Sequence, residues 1–162
     1  MTFRPSAPHT QELSPYMYRM WYTVSVGKKP KSSRGVGTPP EPLERQGKRV
    51  PAIFYCTEAG GEPVREWLRG LSPEDRKRIG EDVKTVEFGW PIGMPVCRPL
   101  GDGIYEVRTT LAQNRIARML FYIDKQGRMV LLHGFIKKTQ KTPDEDLNLA
   151  RRNKNKHQRG LQ

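Results

Sequence analysis

Between Ile104 and Ile136 the sequence holds three strand-length apolar stretches, 104–111, 115–124 and 128–136. The connectors Ala112-Gln113-Asn114 and Lys125-Gln126-Gly127 are short enough only for hairpin turns. Parallel strands would need a crossover of a dozen residues or more, so the spacing predicts an antiparallel three-stranded meander. Successive side chains in a strand point to opposite faces. Glu106 and Arg108 therefore share a face of the first strand, and Arg118 shares one with Leu120 and Tyr122 in the second. The same alternation places His133 with Leu131 and Phe135 in the third. Charged groups amid apolar strands are costly to bury, so this face is expected to open to solvent or a ligand. A mid-strand arginine also fits a rim ion pair with Glu106 or a helix acid, and strand position alone favours that use over catalysis.

The segment before the meander reads as one strand and two helices. Pro51 to Thr57, carrying Ile53, Phe54 and Tyr55, is a short strand bounded by Gly60-Gly61. Val64, Trp67, Leu68 and Leu71 recur at helical spacing behind Pro63, which suits a first turn. Ser72-Pro73-Glu74-Asp75 is a second helix start, with a capping serine and acids at the positive end of the dipole. Ile79, Val83 and Val86 extend its apolar stripe to Gly89-Trp90-Pro91. Gly93 to Gly103 reads as a loop. After the meander, Thr142-Pro143-Asp144-Glu145 opens a last helix running to about Lys154. The expected class is α+β: strand, helical hairpin, three-stranded meander, C-terminal helix. No internal repeat or heptad pattern appears.

The predicted domain covers 51–154, with a basic tail at 155–162. Residues 1–50 differ in kind, with nine bases against three acids and few apolar side chains after Gly27. Such a stretch cannot bury enough surface to offset its ordering entropy, so it reads as disordered. It is either a basic arm or the product of a start placed upstream of the true one, near Val50. The net charge of +12 points to polyanionic partners. Its distribution is uneven: 51–103 sum to −2, and 104–162 carry thirteen bases against five acids. The folded basic surface therefore belongs to the meander and last helix. Cys56 and Cys97 form neither a disulfide framework nor a metal spacing and read as reduced thiols. No apolar run nears the roughly 18 residues of a membrane span, and no secretory h-region precedes Met17. A cytoplasmic location is expected.

The runs Pro-Leu-Gly-Asp-Gly-Ile-Tyr-Glu-Val-Arg (99–108), Arg-Ile-Ala-Arg-Met-Leu-Phe-Tyr (115–122) and Leu-Leu-His-Gly-Phe-Ile-Lys-Lys-Thr-Gln-Lys-Thr-Pro (131–143) resemble the phage-derived branch of the RelE/HigB toxins. The likeness extends more weakly back to Phe54. It implies a compact fold with helices on one side of a small twisted sheet. It also implies cleavage of mRNA in the ribosomal A site and a cognate antitoxin with a helix-turn-helix DNA-binding module.

Metal-independent RNA cleavage uses the 2′-hydroxyl as nucleophile on the adjacent phosphorus. It needs a base, an acid for the leaving 5′-oxygen, and cationic donors for the developing phosphorane charge. By position in the resembling motifs, Arg108 and Arg118 are the candidate phosphate clamps, a job suited to planar guanidinium groups. His133 could exchange protons near neutrality, or be a satisfied structural histidine. Lys137 and Lys138 could transfer protons, hold phosphate, or form a solvated charge run. Arg115 and Lys141 are candidate RNA-backbone contacts, and Tyr122 and Phe135 candidate base-stacking rings, although at least one of the two is expected in the core. No cofactor or metal is expected. Residues 143–162 lack the tyrosine that some relatives use, which shifts the proton chemistry to His133 and the lysines. Two other readings stay open: a gyrase poison of the ParE type, and a non-catalytic RNA- or ribosome-binding protein.

Overall fold

The computed structural model describes residues 47–137 and 142–160. The elements run β1 (Ala52–Phe54), α1 (Pro63–Arg69), α2 (Pro73–Gly89), β2 (Cys97–Gly101), β3 (Ile104–Thr110), β4 (Ile116–Ile123), β5 (Met129–Lys137) and α3 (Asp144–Gly160). Five strands form one sheet in the order β1-β5-β4-β3-β2. The predicted meander is β3-β4-β5, antiparallel throughout, and β1 adds to β5 in parallel with Phe54 opposite Leu131. The class is α+β, as expected.

The stretch expected to be a loop at 93–103 contains a strand, β2, paired antiparallel to β3. Its Pro99 and Gly101 suggested a loop, but an edge strand needs ladder bonds on one side only and tolerates both. A register shift falls between those two residues.

Helices lie on both faces of the sheet rather than on one. Val64, Leu68, Ile79, Val83 and Val86 of α1 and α2 pack against Val107, Met119, Phe121 and Leu131. On the opposite face, Ala150 and Leu147 of α3 cover Ile104, Leu120, Tyr122 and Leu132. The final helix continues to Gly160 instead of ending near Lys154, because His157 packs back against the sheet and its Nδ1 lies 2.6 Å from the Tyr122 hydroxyl. His157 is thus a histidine in contact with the core. The segment read as a basic tail is helical as far as Gly160.

The local signals hold where caps and spacing carried them. Ser72 caps α2 by accepting a hydrogen bond from the Asp75 amide at 3.2 Å, with Pro73 in the first turn. At the other end of α2, the Glu87 carboxylate accepts from the Ala52 amide at 2.6 Å and pairs with Lys48 at 2.8 Å, while its carbonyl receives the Arg49 and Val50 amides. The folded unit thus begins by Lys48, and Val50 is buried. Of the predicted N-terminal tail, 1–46 lie outside the described residues.

β5 is not regular. Leu120 lies opposite His133, but Phe121 lies opposite Leu131, so Leu132 is an extra residue. This β-bulge turns Leu132 and His133 to the α3 side together, a local departure from alternation typical of bulges. His133 therefore shares its face with Leu132 and Phe135, and Leu131 belongs to the opposite core. Gly134 follows on the α1 side, where a Cβ would stand 2.4 Å from the Trp67 ring. Only glycine lets the indole lie so close to the strand.

Candidate nucleic-acid interface

The residues of β3, β4 and β5 that face α3 begin as an apolar set and end as a charged one. Cross-strand pairing sets Glu106 opposite Leu120 and Arg108 opposite Arg118, with Phe135 on the far side of Arg118. Arg98 of β2 lies opposite Glu106 on the outer side. The register therefore converges three arginines on one carboxylate.

Glu106 is wholly buried, and its Oε2 accepts from Arg118 Nη1 and from the Thr142 hydroxyl, each at 2.7 Å. Oε1 faces Arg98 Nη2 at 3.4 Å and Arg108 Nε at 3.9 Å. Arg118 also contacts the Thr142 hydroxyl, which receives Arg98 Nη2 at 3.4 Å. Burial pulls the Arg118 guanidinium below its ordinary value, and Glu106 opposes that shift. Lys137 is lowered by desolvation, then by Arg118 and Arg108, so it sits within the field of the same group. Three arginines around one carboxylate leave an excess of two positive charges, and Lys137 lies in their field.

Exposure separates the roles within the cluster. Arg118 is 1% exposed and committed to Glu106, so the ion pair foreseen at a rim is instead central and buried. Arg98 and Arg108 are 38% and 29% exposed and present their charge to solvent. The Arg108 Nε is buried without a hydrogen-bond partner among the described residues.

The other candidates divide between this face and elsewhere. His133 Nε2 lies 2.7 Å from Asp146 Oδ1 in the first turn of α3, and its ring stacks on Phe135 at 5.5 Å and 22°. Tyr122 is buried beneath α3 and bonded to His157, so its ring is a core element with no face free to stack a base; desolvation raises its pKa to about 12. Arg115 lies apart from the cluster, bound to the buried Asp75 of α2 through both terminal nitrogens at 2.8 and 3.2 Å. Lys138 and Lys141 lie outside the described residues.

Sequence reading missed Arg98, Thr142 and Asp146. Arg98 was hidden in the presumed loop, Thr142 read as part of a helix start, and Asp146 drew no notice within the helix that follows. Nothing local announces contacts across 36 or 44 residues. Among the described residues, no cluster of three or more His, Cys, Asp or Glu is placed to hold a metal ion, and no helix is long and apolar enough to cross a membrane.

No curated protein matches the chain. A family model described as phage derived protein Gp49-like (DUF891) matches residues 66–155. That span covers more than half the chain and includes all of α2, the four strands β2 to β5 and most of α3, with every residue of the cationic cluster inside it. The chain belongs to the Gp49-like family of phage-derived proteins.

Proposed function

We propose that this protein is a toxin of a type II toxin–antitoxin pair, acting as a ribosome-dependent mRNA endoribonuclease. The observation that carries the reading is the convergence of Arg98, Arg108 and Arg118 on buried Glu106, an excess of two positive charges, with Lys137 in the same field and His133 on the same face. Membership of a phage-derived family and the likeness to RelE/HigB motifs point the same way. Arg98 and Arg108 would engage the scissile phosphate, and Arg118 would act through Glu106 by holding the cluster in register. A well-aimed donor to a developing oxyanion contributes about 10²–10³-fold.

In the reaction, the 2′-oxygen forms a bond to phosphorus as the bond from phosphorus to the 5′-oxygen breaks. The products are a 2′,3′-cyclic phosphate and a free 5′-hydroxyl. His133 and Lys137 are the two proton carriers on this face: one accepts the 2′-hydroxyl proton and the other supplies one to the departing 5′-oxygen. Each transfer is worth about 10²–10⁴-fold. Asp146 would hold the His133 ring in position, and the lowered Lys137 brings its neutral form closer to working pH. Phe135, alongside His133, would offer a stacking surface to an unpaired base. The partners are translated mRNA, the ribosome, and an antitoxin with a helix-turn-helix module.

Primer-extension mapping on translated message tests the reading, with Arg98→Ala/Arg108→Ala and His133→Ala as controls. Cleavage by the wild type and its loss in the variants is the expected result. Intact message with a supercoiling defect would replace the reading with a gyrase poison. Intact message with salt-dependent ribosome binding would leave a binding protein without the chemistry.

A further inference from the structure

A concavity adjoins the cationic face and, apart from Arg108, is not used in the reaction above. It is a cleft of about 420 Å³ at the end of the sheet, walled by Arg78, Glu81 and Asp82 of α2 and by Arg108, Thr109 and Thr110 of β3. Its volume falls within the range of about 300–1,000 Å³ typical of small-ligand sites. Two arginines and two carboxylates cancel, so its chemistry differs from that of the phosphate-binding face: it offers directional donors and acceptors with no net charge. Desolvation raises the Asp82 carboxyl group above its ordinary value, against a lowering influence from Thr109. Arg78 is exposed at the rim. Arg108 belongs to both places, so a nucleotide whose phosphate lies against it has its base within reach of the cleft.

We propose that this cleft is a base-recognition subsite selecting guanine at the nucleotide whose phosphate Arg108 holds. The inference rests on the RNA-binding reading given above. Guanine alone among the four bases presents two adjacent N–H donors, N1 and N2, which match the two oxygens of one carboxylate. Its O6 and N7 acceptors suit an arginine, the commonest specific contact to guanine. Adenine and cytosine each set a ring-nitrogen lone pair beside their amino group, which would oppose a carboxylate oxygen. Uracil sets its single N–H between two carbonyls. Asp82, with Glu81 beside it, is the acceptor, and Arg78 is the donor.

The test is titration of the full chain with 3′-GMP, 3′-AMP, 3′-CMP and 3′-UMP, followed through the amide resonances of Thr109 and Thr110. A bidentate pair discriminates by about 1–3 kcal/mol, so 3′-GMP should bind at least about fivefold more tightly than the others. Asp82→Asn should bring the four within about twofold. Arg78→Gln, at an exposed position, should reduce the preference independently. Equal binding of all four nucleotides, shifts confined to the Arg98 side, or undiminished selectivity in Asp82→Asn would overturn the subsite while leaving the phosphate face intact. Guanine selection together with uncut translated message would retain the subsite and remove the nuclease.

Discussion

Replacing Glu106 with glutamine removes the carboxylate around which Arg98, Arg108 and Arg118 converge, and hardly changes the side-chain shape. The wild-type group is wholly buried, 2.7 Å from Arg118 and Thr142, 3.4 Å from Arg98 and 3.9 Å from Arg108. Removing one partner of a buried ion pair costs about 3–5 kcal/mol, because the remaining charge stays desolvated without compensation. The amide retains one acceptor oxygen, so the low end, about 3 kcal/mol, is expected. With a urea dependence of about 2 kcal/mol per molar, the unfolding midpoint should fall by about 1.5 M.

Trp67 and Trp90 provide the fluorescence signal, and a second condition makes the test specific to charge. Phosphate bound at the exposed ends of Arg98 and Arg108, left without their carboxylate, would stabilise the folded state by mass action, by about 2.7 kcal/mol at one hundred times its dissociation constant. Phosphate should therefore restore more stability to Glu106→Gln than it adds to the wild type, with chloride at equal ionic strength as control. The double variant Glu106→Leu/Arg118→Met should lose less than Glu106→Gln alone, since it leaves no stranded charge at Arg118. A midpoint shift below about 0.3 M, or an equal phosphate response in both proteins, would refute the assignment of Glu106 as the anchor of the cluster; the lower limit lies well under what an uncompensated buried charge costs.

Two further outcomes follow from the packing around the site. Gly134→Ala places a Cβ 2.4 and 2.5 Å from two Trp67 ring carbons, and overpacking of this kind costs about 1–3 kcal/mol; thermal melts should drop by several degrees, and Trp67→Leu should recover most of that loss in the double variant. Burial lowers the His157 pKa below its ordinary 6.5, so the unfolded chain takes up the proton first as the pH falls. Stability should consequently decline from about pH 6.5 down to the lowered folded value and then level off, and the urea midpoints of His157→Gln should lack that slope.

The meander was legible because three-residue connectors allow no other pairing, and the starts of α1 and α2 because proline, serine and acids sit where a first turn uses them. The face of Arg118, Leu120 and Tyr122 was legible for the same reason: β4 alternates without interruption. β5 does not. Its extra residue, Leu132, has no distinguishing composition, so alternation carried His133 to the wrong neighbour, Leu131. Strand β2 escaped notice because its proline and glycine have loop character in isolation and become acceptable only at an edge. The last turns of α3 were missed because 154–160 are almost entirely polar, and only the His157–Tyr122 contact shows what holds them. The cluster itself was half legible. Glu106, Arg108 and Arg118 could be placed on one face by parity, whereas Arg98 and Thr142 reach it through tertiary proximity that no local pattern encodes.

A buried Glu106–Arg118 pair is an inefficient way to stabilise a sheet, since well-packed apolar side chains of similar volume often do as well or better. Its value must lie in what it orders around it. Arg118 satisfies one oxygen of Glu106, leaving the other to face Arg98 and Arg108, whose charged ends reach solvent. Without that carboxylate, two arginines and Lys137 would repel one another across neighbouring strands, and flexible side chains would separate to lower the cost. With it, their positive charge is concentrated on one patch before any ligand arrives. Preorganised charge of this kind accelerates phosphoryl chemistry because the reorganisation is completed in folding and not at the transition state. On the proposed reading, phosphate is held in a defined orientation and not merely attracted by a basic surface. The same consideration predicts that Arg98 and Arg108 contribute more to cleavage than to affinity: substituting either should reduce the rate of message cleavage by about 10²-fold or more while weakening ribosome binding only as far as one lost phosphate contact allows. Parallel losses in the two measurements would mean that the cluster is an attachment surface and that the order imposed by Glu106 serves stability alone.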